Sequence, residues 1–154
     1  MVMSTSKYLD AAERTQTLEH QEDSKRKRIL VVEDNQMGLM LLGQLLRAQG
    51  YDILQTSEGW GAIDLARDNH PDLILMDIGL PDICGLDVTR LLKQDDQTKT
   101  IPIIALTAFA MPGDEERSLE SGCDAYIAKP ILMDKLLRAV ESLLSSPPSA
   151  FDSL

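Results

Sequence analysis

Five polar residues suited to phosphoryl chemistry stand at the ends of short apolar stretches of the chain. Glu33 and Asp34 follow the first stretch, and Asp77, Thr107 and Lys129 follow three later ones. Carboxylates that lie close together need a compensating cation to stay ionised, and their oxygens suit Mg²⁺. A lysine and a hydroxyl beside the metal would hold an anion, and an aspartate can accept a phosphoryl group as an acyl phosphate. These residue types therefore indicate Mg²⁺-dependent phosphoryl chemistry if the fold brings them together.

The apolar stretches alternate with helical patterns, and this alternation predicts the fold. The predicted strands cover residues 29–32, 51–56, 73–76, 103–106 and 125–128. The predicted helices cover residues 35–49, 59–67, 86–94, 114–121 and 133–144. Strands that are apolar on both faces are typical of parallel sheets covered by helices. We therefore expect an α/β fold with a doubly wound five-stranded parallel sheet and five helices, in which functional residues gather at the carboxyl ends of the strands.

Composition and charge exclude several classes of function. The 154 residues suffice for one domain, and the 15 basic and 25 acidic residues give a net charge of −10, which disfavours direct nucleic-acid binding. No apolar run approaches the length of a membrane span, and the start lacks the apolar segment of a secretory signal. Two cysteines, Cys84 and Cys123, are too few for a disulfide framework. We expect a cytoplasmic protein without membrane insertion.

The alternating pattern occupies the middle of the chain, between two segments of different composition. Residues 1–27 are polar and run into a group of consecutive basic residues, which predicts a flexible N-terminal extension. Residues 146–154 contain two consecutive prolines and predict a C-terminal tail. The domain itself is expected at 28–145. Because no output domain follows the last helix, we expect the output to be a protein contact or a phosphoryl relay.

Four segments together resemble the signature of the receiver domains of two-component response regulators. They read ILVVEDN at 29–35, LILMD at 73–77, ALTA at 105–108 and AKP at 128–130. The resemblance covers residues 28–145, and the stretch TAFAMPGDEER at 107–117 is similar to the DivK-like, single-domain regulators of bacterial cell division. It implies a CheY-like sheet with the flavodoxin-like strand order 2-1-3-4-5. It also implies a signalling protein rather than an enzyme.

The resemblance implies how a metal and a phosphoryl group would be bound. Asp77 would accept the phosphoryl group from a phosphohistidine on a histidine kinase or a histidine phosphotransfer protein. Asp34 and Asp77 would bind Mg²⁺ directly, Glu33 would act through water, and the backbone carbonyl of Gly79 would be a further ligand. The backbone N–H groups of Gly79 and Ala108 would help to bind the phosphoryl oxygens.

Three more residues are assigned to recognition of the phosphoryl group and to the response that follows. The resemblance implies that Lys129 and the hydroxyl of Thr107 hold phosphoryl oxygens. Thr107 would move toward the new charge while Tyr126 swings inward, which is a population shift between two states. The family also implies a cis peptide bond between Lys129 and Pro130.

The first helix carries more apolar residues than one buried stripe requires, which predicts a docking surface for a partner. Met37, Met40 and Leu41 belong to this surplus, and methionines suit adaptable interfaces. We assign Pro130 and Ile131 to the same surface. The resemblance agrees, because kinase four-helix domains pack on this helix. The downstream protein is not identified by any of these residues.

One position departs from the family pattern. Cys84 stands where an aspartate is usual before the glycine at 85. We expect this difference to affect the turn into the third helix and not the metal. Both Cys84 and Cys123 are interpreted as small apolar residues without a redox role.

Three other functions remain open. A phosphohydrolase with an aspartate nucleophile would also form an acyl phosphate, but such enzymes usually carry a second aspartate two residues later, where this chain has Gly79. A flavodoxin-like cofactor binder would need a phosphate-binding loop after the first strand, where Glu33 and Asp34 would repel phosphate. The third is a receiver-shaped interaction domain that is not phosphorylated.

Overall fold

Strands and helices alternate along the chain in the computed structural model, which describes residues 26–108 and 111–145. Residues 1–25 of the extension expected at 1–27, and the whole tail expected at 146–154, lie outside the described residues. The elements are β1 (Arg28–Val32), α1 (Gln36–Ala48), β2 (Asp52–Thr56), α2 (Gly59–Asn69), β3 (Leu73–Asp77), α3 (Gly85–Gln94), β4 (Ile103–Thr107), α4 (Asp114–Glu120), β5 (Ala125–Ala128) and α5 (Met133–Ser145). Among the described helices, none combines the length and the apolar character needed to span a bilayer.

The five strands form one parallel sheet in the order β2-β1-β3-β4-β5. This confirms the predicted α/β, doubly wound fold and its strand order. From β1 the chain builds outward to β2 and then crosses to β3 on the other side, so the order reverses between β1 and β3. In open parallel sheets, functional residues collect at the carboxyl ends of the strands beside such a reversal.

Side chains alternate between the two faces of the sheet and form two separate hydrophobic clusters. On one face β1 contributes Leu30 and Val32, which pack with residues of α2 and α3. On the other face β1 contributes Ile29 and Val31, which pack with residues of α1 and α5. Burial of both faces explains why the strands are continuously apolar in sequence.

Two strands continue one residue beyond their predicted ends. Asp77 and Thr107 are the last residues of β3 and β4, rather than the first residues after them. The ladder continues because Asp77 is paired with Leu106 and Thr107 with Ala128. A polar side chain ends an apolar pattern in sequence, but it does not interrupt backbone hydrogen bonds.

The helix ends also differ from the prediction by a few residues. Helix α1 begins at Gln36, because the side chain of Asn35 accepts a hydrogen bond from the N–H of Gly38 at 2.9 Å and caps the helix. Gly50 follows α1 with φ +96°, a left-handed conformation that glycine adopts readily after the end of a helix. Helix α2 continues past the predicted residue 67 to Asn69 and ends at His70, which has a left-handed backbone.

Gly85 is the position of the fold where the absence of a side chain matters most for the site. An added methyl group would overlap the main-chain carbonyl oxygen of Asp77 and crowd the Cα of Ile78. Because these neighbours are backbone, Gly85→Ala is expected to lower the free energy of unfolding by about 1–3 kcal/mol in urea titrations. Gly38→Ala inside α1 is the control. Its added methyl group would meet ordinary contacts of 3.5 Å or more, so the free energy of unfolding should rise by up to ~1 kcal/mol. Equal stabilities of the two variants would contradict this packing argument.

Candidate functional site

A cavity of ≈ 610 Å³ opens at the carboxyl edge of the sheet. The ends of β1, β3, β4 and β5 each place polar groups around it. It brings together every residue assigned to the metal or to the phosphoryl group, namely Glu33, Asp34, Asp77, Gly79, Thr107, Ala108 and Lys129. The prediction that the strand ends converge is therefore reproduced by the geometry.

Three carboxylates form the acidic part of the cavity. Glu33, Asp34 and Asp77 each offer an oxygen, and these oxygens all lie within 4.8 Å of one another. Asp34 is exposed, whereas the side chains of Glu33 and Asp77 are only 3% and 7% exposed. Hard oxygen donors with one side open to water fit Mg²⁺, which keeps several of its water ligands in proteins. The residues present therefore fit this metal.

Lys129 provides the opposite charge. Its Nζ lies 2.7 Å from Oε2 of Glu33 and 3.5 Å from Oδ1 of Asp77. Burial by itself would lower the pKa of the Lys129 ammonium, but the hydrogen bond to Glu33 and the charges of Asp77 and Glu33 raise it above its ordinary value. The lysine is therefore cationic and bridges the two buried carboxylates.

The surroundings of Asp77 shift the pKa of its carboxyl group strongly. Burial, followed by the negative charge of Glu33, raises the pKa of Asp77 to about 6, and Lys129 opposes this rise. Its Oδ1 accepts a hydrogen bond from the backbone N–H of Gly79 at 3.2 Å. The ionised form of Asp77 is therefore costly unless further positive charge reaches the cavity.

The β4 and β5 strands position the two residues assigned to the switch. Thr107 is buried and lines the cavity. Tyr126 is half-buried against the core cluster on the α2 and α3 face and does not line the cavity. Burial, and then the carboxylates of Asp114 and Glu115, raise the pKa of Tyr126. The structure thus places Thr107 at the site and Tyr126 beside it on the neighbouring strand.

A family model for the response regulator receiver domain matches residues 29–141. The chain belongs to this family. It is 50% identical over 118 residues to the polar-differentiation response regulator DivK of Brucella ovis, an alignment that covers 77% of this chain and 96% of that relative. This chain is therefore a DivK-like receiver domain of a two-component response regulator, and the predicted resemblance is confirmed.

Solved structures of other receivers agree with this assignment. The receiver domain of the sensor histidine kinase PA1611 from Pseudomonas aeruginosa PAO1 is 36% identical, with a TM-score of 0.73 over 79% of this chain and 99% of that one. That structure has a magnesium ion coordinated in its active-site cleft. The chemotaxis protein CheY4 of Vibrio cholerae, 23% identical with a TM-score of 0.73 over 77% and 99% of the two chains, supports the fold.

The receiver's cavity also contains residues that the sequence analysis did not assign to it. The first turns of α4 and the loop before it contribute Met111, Asp114 and Arg117. Arg117 and Asp114 form an ion pair, so a second cation lies in the wall of the cavity. In sequence, Asp114 shows only the preference of carboxylates for a helix start. Because Asp114 does not stand at a strand end, the pattern that predicts the site does not include it.

The predicted docking residues divide into two groups. Leu41, Pro130 and Ile131 line one groove of ≈ 330 Å³ between α1 and the start of α5, next to the acidic cavity. Met37 and Met40 do not line this groove, but both are exposed on the same helix. The groove also includes Glu33, Lys129 and the exposed Met133, which the sequence analysis did not assign to it. The expected cis bond between Lys129 and Pro130 is present.

The two cysteines occupy different environments. Cys84 is exposed, lines the cavity and flanks the start of α3 without a capping bond from its side chain. Cys123 is buried, its Sγ lies 3.8 Å from the hydroxyl of Thr89, and burial raises the pKa of its thiol. A raised thiol pKa lowers reactivity, which supports the interpretation of Cys123 as a packing residue.

Asp77→Asn should stabilise the metal-free protein at pH 7. The substitution removes a buried carboxylate whose pKa is raised from about 4 to about 6 by the fold, so its ionisation at pH 7 opposes folding. We expect a gain on the order of 2 kcal/mol in the free energy of unfolding, measured by urea titration. The cost of ionised Asp77 in the folded protein falls as the pH falls and the carboxyl group becomes protonated. The gain in the free energy of unfolding from Asp77→Asn should therefore be smaller at pH 4 than at pH 7. A gain that is the same at both pH values would argue against a charge effect.

Proposed function

We propose that this receiver accepts a phosphoryl group on Asp77 in a Mg²⁺-dependent reaction and signals through protein contacts or a phosphoryl relay. The observation that supports this most directly is the geometry of three residues. Asp77 and Glu33 are both buried, and Nζ of Lys129 lies 2.7 Å from Oε2 of Glu33 and 3.5 Å from Oδ1 of Asp77. An inert acidic cluster would not need a buried aspartate with a raised pKa beside a fixed lysine.

The metal would be held by the residues of the acidic cluster. Asp34 and Asp77 are proposed as direct ligands, Glu33 as a ligand through water, and the carbonyl of Gly79 as a backbone ligand. Mg²⁺ would offset negative charge on the acceptor and on the transferring group. Glu33 already accepts a hydrogen bond from Lys129, which suits an indirect role toward the metal.

In the proposed transfer, a carboxylate oxygen of Asp77 forms a bond to phosphorus while the bond between phosphorus and a histidine nitrogen breaks. The imidazole leaves with the electron pair of that bond, and Asp77 becomes an acyl phosphate. Lys129, the Thr107 hydroxyl and the N–H groups of Gly79 and Ala108 are proposed to hold the phosphoryl oxygens. These donors lie around one cavity, so they need no large rearrangement to converge on the new charge.

The response is proposed to spread from Thr107 to Tyr126. Thr107 pairs with Ala128 at the end of β5, two residues after Tyr126. A movement of the Thr107 hydroxyl toward the phosphoryl group would free space on the side of β4 that Tyr126 faces. The surface formed by α4, β5 and α5 would change with the inward position of Tyr126, and a downstream protein would recognise that difference.

The phosphodonor is proposed to be a histidine kinase or a histidine phosphotransfer protein that docks on α1. Met37, Met40 and Leu41 are 63%, 49% and 52% exposed, a large apolar surface for one helix. The groove that contains Leu41 is continuous with the site through three shared residues, Glu33, Asn35 and Lys129. A helix seated there would bring its histidine to the mouth of the cavity.

The phosphohydrolase alternative lacks a residue to release the product. Such an enzyme needs an acid near the position of Gly79, two residues after Asp77. Glycine has no side chain, so Gly79 cannot supply this acid. Packing does not forbid one there, because an added Cβ would find no atom within 4 Å. We therefore favour a stoichiometric phosphoacceptor over a catalytic phosphatase.

Phosphorylation can be tested by intact mass after incubation with Mg²⁺ and a small phosphodonor. The parent should gain the mass of one phosphoryl group, and Asp77→Asn should gain none, because the amide is not a nucleophile. Asp64→Asn is a matched control, since Asp64 is an exposed aspartate of α2 outside the cavity. Addition to Asp77→Asn, or addition that does not require Mg²⁺, would contradict the proposal.

Docking can be tested with Leu41→Gln. We expect the rate of transfer from a phosphohistidine donor domain, divided by the rate with a small phosphodonor, to fall about tenfold, as for the loss of one apolar anchor. Leu119→Gln on α4 is the control, because Leu119 is similarly exposed at 48% and lies outside the groove. If both variants change this ratio equally, α1 is not the docking helix.

A further inference from the structure

One carboxylate fastens the loop between β3 and α3, residues 78–84, to the start of α2. The backbone N–H groups of Gly59 and Trp60 donate hydrogen bonds to the two carboxylate oxygens of Asp82, at 3.0 and 3.1 Å. Glu58, which flanks α2, makes no capping bond with its side chain. The free N–H groups of a helix start need acceptors. Asp82 therefore supplies, from 22 and 23 residues away, the cap that the α2 segment lacks.

Packing brings the same two segments into direct contact. A methyl group on Gly59 would overlap the side chain of Ile83 and crowd those of Val88 and Leu80. Leu80 and Ile83 are partly buried against the core cluster on this face of the sheet. The absence of a side chain at Gly59 thus lets α2 begin directly against the loop.

The other end of this loop begins at the phosphoacceptor. The N–H of Gly79 donates to Oδ1 of Asp77, and the N–H of Gly85 donates to the carbonyl of Ile78 at 2.9 Å. Between these bonds Gly79 is exposed, and a side chain there would find no neighbour within 4 Å. Side-chain packing therefore does not fix the backbone at Gly79. Its position depends on how the rest of the loop is held.

We propose that Asp82 is a positioning residue for the phosphorylation site: by capping α2 it holds the 78–84 loop so that the backbone of Gly79 faces the metal and the phosphoryl group. This inference rests on the proposed function, in which Gly79 contributes its carbonyl and its N–H. The hydrogen bond from Gly59, with that from Trp60, lowers the pKa of Asp82, so its carboxylate remains ionised and a strong acceptor.

Hydrogen exchange of the full chain without metal tests the link independently of phosphorylation. In Asp82→Ala, amides at the start of α2 and amides of the 78–84 loop should both exchange on the order of fivefold faster, the effect of losing one helix cap. Asp82→Asn should show a smaller increase, because the amide oxygen keeps one acceptor. Asp96→Ala is the control, since Asp96 is an exposed aspartate whose ion pair among the described residues is with Lys99. Faster exchange in α2 alone would overturn the proposal and leave Asp82 as a helix cap.

Calorimetric titration with Mg²⁺ separates this proposal from the proposed function. We expect Asp82→Ala to weaken Mg²⁺ binding about tenfold, as the loss of outer positioning groups does at other metal sites. Unchanged binding in Asp82→Ala would overturn the positioning role. A parent protein that binds no Mg²⁺ would contradict the proposed function, and the exchange of the 78–84 loop would then decide the role of Asp82.

A second variant approaches the same contact from the side of α2. Gly59→Ala leaves Asp82 intact but pushes against Ile83. It should speed exchange in the 78–84 loop in the same direction as Asp82→Ala. If Asp82→Ala does not fold, Gly59→Ala and Asp82→Asn carry the test. A loop whose exchange is unchanged in both variants would overturn the proposal.

Discussion

The ion pair of Lys129 with Glu33, with Asp77 beside it, is the interaction on which the site depends. Residues that are far apart in sequence are brought to one edge by parallel strands, and two of the carboxylates are buried there. Three carboxylates and one ammonium leave a formal charge of −2, which a divalent cation balances. A phosphoryl group on Asp77 would bring further negative charge, so the proposed function would need the lysine and the metal in both states of the receiver.

Most of the fold could be predicted from sequence because the strands carry an unambiguous signal. Strands β3 and β4 are buried at every residue. Continuously apolar strands of this kind are typical of a parallel sheet that helices cover on both faces. The predicted strand ends differ from the structure where a polar side chain ends the apolar pattern but the backbone stays in the sheet. Asp77 and Thr107 end the apolar pattern, yet their backbones remain in the ladder. The start of α1 differs for a related reason, since the side chain of Asn35 caps a helix that the pattern placed one residue earlier.

The candidate site was predictable where its residues stand at strand ends, but several of its residues on helices and loops were missed. A strand end fixes the position of a residue without knowledge of the loop that follows. Arg117 and Met133, in contrast, reach the cavity and the groove only through the conformation of the loops before α4 and α5. Asp82 is the extreme case. Its partners are more than twenty residues away, and neither segment carries a local signal for the other.

Strand β5 connects the two faces of the receiver. Successive side chains of a strand point to opposite faces. Tyr126 therefore packs with the cluster of α2 and α3, and Ile127 packs with the cluster of α1 and α5. Lys129 follows on the same strand end and holds the carboxylates through its ammonium. Under the proposed function, a displacement of Lys129 by a phosphoryl group on Asp77 would be transmitted along one short backbone to the docking side and to the side of Tyr126. On this proposal, a strand of four residues would couple partner binding to the response of the receiver.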